Sequence, residues 1–385
     1  MRHTKLLLAS LVAALALAAC GRPVAQTWPG LATDGNLVYV AQGQQVHAVS
    51  LATHEQVWAF PATASNDFGQ FVSEPGLSAT TIVVGSEGAS STYSGVLYGL
   101  DAQTGQQRWC LAFDQKGQAK QPTCKLASGV TGGTIFGIGP AVDNRIFGGL
   151  TLTNGVVYFG LASGAVFAVN AETGADLWRF KAERDVWGAP LVSGAIVYVP
   201  SLDHHLYALN RDSGTLVWQK DMGAAVAGAP TLDGATLYAG TFGNRIVALD
   251  AATGNELWNF PASNWVWSGP AIDQGVLYFT DVSGMVFAVD ANSHRKLWSV
   301  TPGGLMRARP VLADGNLYVG DRNGNLFALD PATGATRWSR QMKGQLLVPP
   351  VVVSGAVVTA PFSGDNLLAA YSATGDLKWA FAPSK

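Results

Sequence analysis

The sequence predicts an all-β fold, a single eight-bladed β-propeller of four-stranded antiparallel blades. Three observations predict it. First, tryptophan returns at Trp58, Trp109, Trp178, Trp218, Trp258, Trp298, Trp338 and Trp379, at intervals of 51, 69, 40, 40, 40, 40 and 41 residues. Second, the intervals are filled by short alternating apolar runs between turns rich in Gly, Asn and Asp, with no 3.6-residue periodicity. Third, only 13% of residues are charged against 48% apolar, and 45 of 385 are glycine, a composition suited to small sheets covered on both faces. One such sheet cannot bury both faces alone, so the units must stack, and a radial stack of four-stranded sheets is a propeller.

Each unit repeats the same landmarks in order. It opens on a proline (Pro29, Pro75, Pro140, Pro190, Pro230, Pro270, Pro310 and Pro350), which precedes the unit's Trp by 28 or 29 residues in six cases and by 34 and 38 in the two units with insertions. A turn such as Asp233-Gly234 follows, then a β-rich run ending near a tyrosine such as Tyr238. A second turn such as Asn323-Gly324 leads to a third strand of the type Phe327-Ala328-Leu329-Asp330. A Thr-Gly turn then enters the strand that holds the Trp. The turn residues tolerate the positive φ that tight hairpins need. The lack of 3.6-residue periodicity excludes a helical solenoid, and a sandwich gives no reason for a forty-residue clock.

Residues 1–19 read as a signal peptide: Arg2, His3 and Lys5 precede the apolar run Leu6 to Leu17, which is short for a membrane span. Leu17-Ala18-Ala19-Cys20 matches a lipobox, so Cys20 is expected to be lipidated, with residues 20–27 as a short tether and 28–385 as the propeller. That places the chain outside the cytoplasm, on the periplasmic face of an outer membrane or on the cell surface, held to the membrane by lipid alone. Removing the leader leaves 22 basic against 26 acidic residues, which excludes the basic footprint of a nucleic-acid binder. In an oxidising compartment Cys110 and Cys124 are expected to form a disulfide.

The run Ala248-Leu249-Asp250-Ala251-Ala252-Thr253-Gly254-Asn255-Glu256-Leu257-Trp258 resembles the tryptophan-docking motif of quinoprotein-type propellers, and close copies end at Trp178, Trp218 and Trp338. The resemblance implies that each Trp packs between blades against the motif's Gly and Ala. His54 and His294 stand where other units carry the turn Gly, a departure expected to weaken docking there. Members of this family include enzymes using pyrroloquinoline quinone (PQQ), scaffold lipoproteins and surface sensors. Size, leader and compact blades look most like the scaffold lipoproteins of outer-membrane β-barrel assembly. That resemblance implies a non-catalytic monomer binding envelope proteins, with no cofactor. The alternatives are a quinone oxidoreductase holding PQQ with calcium, and a sensor of a glycan or other ligand. The enzyme reading lacks the adjacent cysteines that its family pattern places over the cofactor.

Three residues before the seven prolines that follow Pro29 stand Val72, Gly137, Trp187, Ala227, Trp267, Arg307 and Leu347. The loop entering an innermost strand lies beside the axis, so these side chains are expected to ring one mouth of the channel. Trp187, Trp265, Trp267, Arg307 and Arg309 there combine aromatic faces with guanidinium groups, suited to an anionic, planar or peptide ligand. The bland alternative is that the indoles fill a wide mouth and the arginines pair with Asp185 or Glu183. His204-His205 lies in a turn, where adjacent side chains diverge and chelate poorly, so no metal site is expected.

Overall fold

The computed structural model describes residues 29–87, 93–114, 133–136 and 145–383. Eight sheets follow one another along the chain at residues 30–60, 76–136, 151–181, 191–221, 231–261, 271–300, 311–341 and 351–381, numbered here as blades 1 to 8. Each takes its strands from consecutive sequence, and strands adjacent in the chain are adjacent in the sheet. The first strands of neighbouring blades touch at most junctions, that of blade 8 touching that of blade 1, and blades 4 and 5 and blades 7 and 8 meet through their shared apolar layers. The innermost strands therefore surround an axis and the ring closes. Among the described residues the only helix is the short 3-10 turn Asn66–Phe68. The predicted all-β, eight-bladed propeller is the fold observed.

The apolar core is not one mass but eight layers, one between each pair of adjacent blades. Strands Ile196–Pro200 and His205–Asn210 show why: runs of consecutive residues are buried, because both faces of the central strands meet a neighbouring sheet. The closing layer packs Leu31, Val38, Val40 and Val49 of blade 1 against Val358, Leu368, Ala370 and Phe381 of blade 8.

The recurrent indoles sit in these layers near the outer strands. Ala168 pairs directly with Trp178 across its ladder, and Ala208 with Trp218, so a small residue leaves room for the ring on its own sheet. The far face meets the next blade's turn. A Cβ on Gly214, at φ +68, would lie 2.6 Å from the Trp178 ring, and the other turn glycines crowd Trp58, Trp109, Trp218, Trp298 and Trp338 in the same way. In all six cases the indole N–H donates to a backbone carbonyl of the following blade, such as Arg211 or Ala251. Glycine is needed there twice over, for the left-handed backbone and for the close approach.

At the two blade interfaces lacking that glycine, docking is changed rather than simply weakened. The His294 ring stacks on Trp258, centroids 4.5 Å apart, and the His54 ring on Trp379 at 5.0 Å. Both histidines hold the same positive φ as the glycines, 58° and 61°. Among the described residues neither Trp258 nor Trp379 makes an indole hydrogen bond, so ring stacking replaces it.

Two expectations need correction. Blade 2 has five strands: Gly133–Phe136 runs parallel to Gln107–Asp114, with Cys110 opposite Gly133. Strand Gly133–Phe136 thus covers the outer edge of the sheet and pairs its backbone groups. Pro140, likewise, does not open blade 3. Leu150 stands directly before the innermost strand Thr151–Thr153, as Pro190 does before Leu191–Ser193. Phe147, three residues before Leu150, is the residue of that blade that lines the channel. Cys110 is disulfide-bonded. Residues 1–27 with Cys20, and Cys124, Gly137 and Pro140, lie outside the described residues.

Candidate functional site

The loops entering the innermost strands alternate in direction. Val186, Val226, Val266, Met306 and Leu346 are buried in the layers between blades. Each anchors its loop, and the next residue is thereby turned toward the axis. Trp187, Ala227, Trp267, Arg307 and Leu347 accordingly line one cavity of about 330 Å³, together with Val72 and Phe147. Two residues further along each loop, Glu74, Gly149, Ala189, Ala229, Gly269 and Arg309 form a second tier in the same cavity.

The first tier is an aromatic strip. Trp187 of blade 4 and Trp267 of blade 6 stack on each other, centroids 6.1 Å apart and planes 27° apart, because the intervening blade offers only Ala227. Phe147 meets the edge of Trp187 at 6.2 Å. Phe242 lies 5.0 Å from Trp267 and stacks on Trp265 at 4.7 Å. Trp265 is 46% exposed and stands at the rim, outside the cavity lining. Guanidinium groups cover the strip: Arg307 lies 4.4 Å above the Trp267 ring, and Arg145 4.4 Å above Phe147. The Trp187 indole donates to Asp185.

Neither Arg307 nor Arg309 forms an ion pair among the described residues, with Asp185, Glu183 or any other group. Arg307 Nε is buried without a hydrogen-bond partner, as is the hydroxyl of Ser268 beside it. Burial and the nearby charge of Arg322 together depress the Arg307 pKa. Glu74 opens onto the channel yet is enclosed by protein on most sides. Burial raises its carboxyl above the usual range, against the opposing pull of Arg309. Glu74, Phe147 and Phe242 were not singled out in the sequence. The first could have been found by reading the residue just before Pro75.

Elsewhere, His204 occupies a turn at φ 77°, and His205 Nδ1 contacts its neighbour Asp203. Among the described residues no group of three His, Cys, Asp or Glu side chains is arranged to hold a metal, and no helix is long and apolar enough to cross a membrane.

Fold and repeat together define a propeller of the PQQ-like repeat class. The chain belongs to the family described as "Outer membrane protein assembly factor BamB", which matches residues 18–129, 94–228, 202–304 and 282–384. Among solved structures, BamB from Moraxella catarrhalis superposes with a TM-score of 0.66 at 18% identity, covering 90% of this chain and 93% of that one. A quinohaemoprotein alcohol dehydrogenase from Pseudomonas putida gives 0.66 at 14% identity, covering 92% and 75%. These likenesses establish the fold. The serine/threonine-protein kinase AfsK of Streptomyces griseus is 36% identical over 99 residues, which span 26% of this chain and 11% of the kinase.

Proposed function

We propose that the protein is a non-catalytic, lipid-anchored scaffold of the cell envelope, whose channel mouth docks another protein, with outer-membrane β-barrel assembly as its setting. The observation that carries this reading is the family match along almost the whole propeller. The exposed Trp265 beside the Arg307–Trp267 pair adds to it, since aromatic and arginine side chains are the commonest anchors of protein interfaces. The lining of the cavity argues against the oxidoreductase alternative. Among the described residues its only carboxylate is Glu74, and Trp187 and Trp267 already stack on each other. That donor set does not fit a quinone held by calcium, so no catalytic step is derived from it.

Crosslinking in intact envelopes followed by capture of this chain tests the reading. Recovery of barrel-assembly components, reduced in a Trp267→Ala/Arg307→Ala variant that still folds, supports it. Capture that the double variant leaves unchanged removes the mouth from the interface. A visible absorption band appearing when PQQ and Ca²⁺ are added would instead favour the enzyme.

A further inference from the structure

The second tier of the cavity carries chemistry that a protein-docking rim does not need. Glu74 and Arg309 occupy the same position in their repeats, each immediately before the proline that opens an innermost strand. They belong to blades 2 and 7, three blades apart around the ring, and both line the one cavity. Both side chains are exposed to it. They feel each other's charge but make no ion pair. In the other described blades this tier is Gly149, Ala189, Ala229, Gly269 and Pro349, with no polar side chain. A carboxylate and a guanidinium are thus held apart on different walls of an otherwise apolar tier. Directly above lie the Trp187–Trp267 stack, the Arg307 guanidinium and the unpartnered Ser268 hydroxyl.

Two opposite charges that face one cavity without joining offer a bridging molecule a partner at each end. A bridging molecule must be cationic at one end and anionic at the other. Its anionic end would meet Arg309 with Arg307 close by, its cationic end Glu74, and an apolar portion would lie against the indoles. The cavity of about 330 Å³ falls at the lower end of small-molecule sites, ~300–1,000 Å³. That volume is too small for a folded segment.

We propose that the channel tier formed by Glu74 and Arg309 binds a small zwitterion, a free aromatic amino acid or a dipeptide, with its ammonium at Glu74 and its carboxylate at Arg309. The site lies beneath the docking rim and does not depend on the scaffold reading.

Calorimetric titration of the full mature chain with the dipeptide Ala-Phe, its N-acetyl form and its C-terminal amide tests this directly. The expected result is saturable binding of the free dipeptide, with each cap weakening it at least about tenfold, the scale of one lost charged hydrogen bond. Glu74→Gln should abolish discrimination against the acetylated peptide, and Arg309→Gln discrimination against the amide, both in proteins whose thermal unfolding stays cooperative. Free phenylalanine, run alongside, reports which length spans the gap. Equal affinity for the three peptides, sensitivity to one cap only, or no saturable binding of any of them overturns the proposal. Envelope capture is expected to be unchanged in both variants, so failure here and failure of the scaffold reading are separate results.

Discussion

His54 lies flat on Trp379, the ring planes 18° apart, and so joins the first blade to the last. The same geometry recurs inside the ring between His294 and Trp258. Both histidines keep a left-handed backbone that glycine adopts without cost. Replacing His294 with Ala should remove the stack, worth ~0.5–1.5 kcal/mol, and leave the backbone strained. Replacing it with Gly restores the docking seen at six other interfaces. Urea unfolding should therefore rank His294→Gly above His294→Ala by about 1 kcal/mol. An alanine variant as stable as the glycine one would show that the backbone at this position is not strained.

Gly194 and Gly214 separate the two roles of a turn glycine. Both have positive φ, but a Cβ on Gly194 meets nothing within 4 Å, whereas on Gly214 it meets the Trp178 ring at 2.6 Å. Gly194→Ala should cost about 1 kcal/mol from the backbone alone. Gly214→Ala should cost roughly 2–4 kcal/mol, because overpacking against the displaced indole is added. Chemical denaturation of the two variants measures the difference, and equal losses would mean that the indole gives way freely.

The closing layer also responds to acid. His47 is buried, hydrogen-bonds through Nδ1 to Gln56 and meets the edge of Phe381 in blade 8. Burial lowers its pKa below 6.5, so the folded protein keeps this imidazole neutral while the unfolded chain protonates it. Stability from this residue is complete above pH 6.5 and is lost as pH falls from there to the lowered folded-state value. Urea midpoints measured from about pH 8 to 5 should fall less in His47→Gln than in wild type. Parallel slopes would remove His47 as the source.

Glu74 has the opposite sign. Its carboxyl is raised above the ordinary 4.5, so the unfolded chain gives up this proton first. The folded state loses stability as pH rises from 4.5 to the raised value, and stays at that deficit beyond it. Glu74→Gln should therefore stabilise the protein at neutral pH and make little difference below pH 4. Thermal unfolding at the two pH values checks this. Destabilisation at neutral pH would mean that Arg309 compensates the burial completely.

The ring was legible because its period is enforced physically. An indole cannot be replaced at an interface without leaving a hole, so Trp58 to Trp379 mark every blade. Strand Gly133–Phe136 was not legible. It lies in a glycine-rich insertion, and its parallel pairing depends on an edge supplied by distant sequence. Pro140 misled because proline is a marker of the loop and not a requirement, and Leu150 serves blade 3 equally well. At the mouth, counting back from the prolines brought Trp187, Trp267 and Arg307 together. Of the partners that complete the aromatic strip, Phe147 holds the same offset but from Leu150, where the proline marker is missing, and Phe242 comes from a different turn, after strand Thr236–Thr241. Glu74 escaped notice because a single acidic residue before a proline looks like any turn.

Among the described residues no blade borrows a strand from the opposite end of the chain, so no sheet ladder crosses the seam between blades 8 and 1. The molecule is a bracelet whose clasp is an apolar layer and not a shared sheet. Whole links can in principle be duplicated, lost or circularly permuted by recombination without unravelling any sheet. What such an event must rebuild is one contact per junction, a ring laid against a turn.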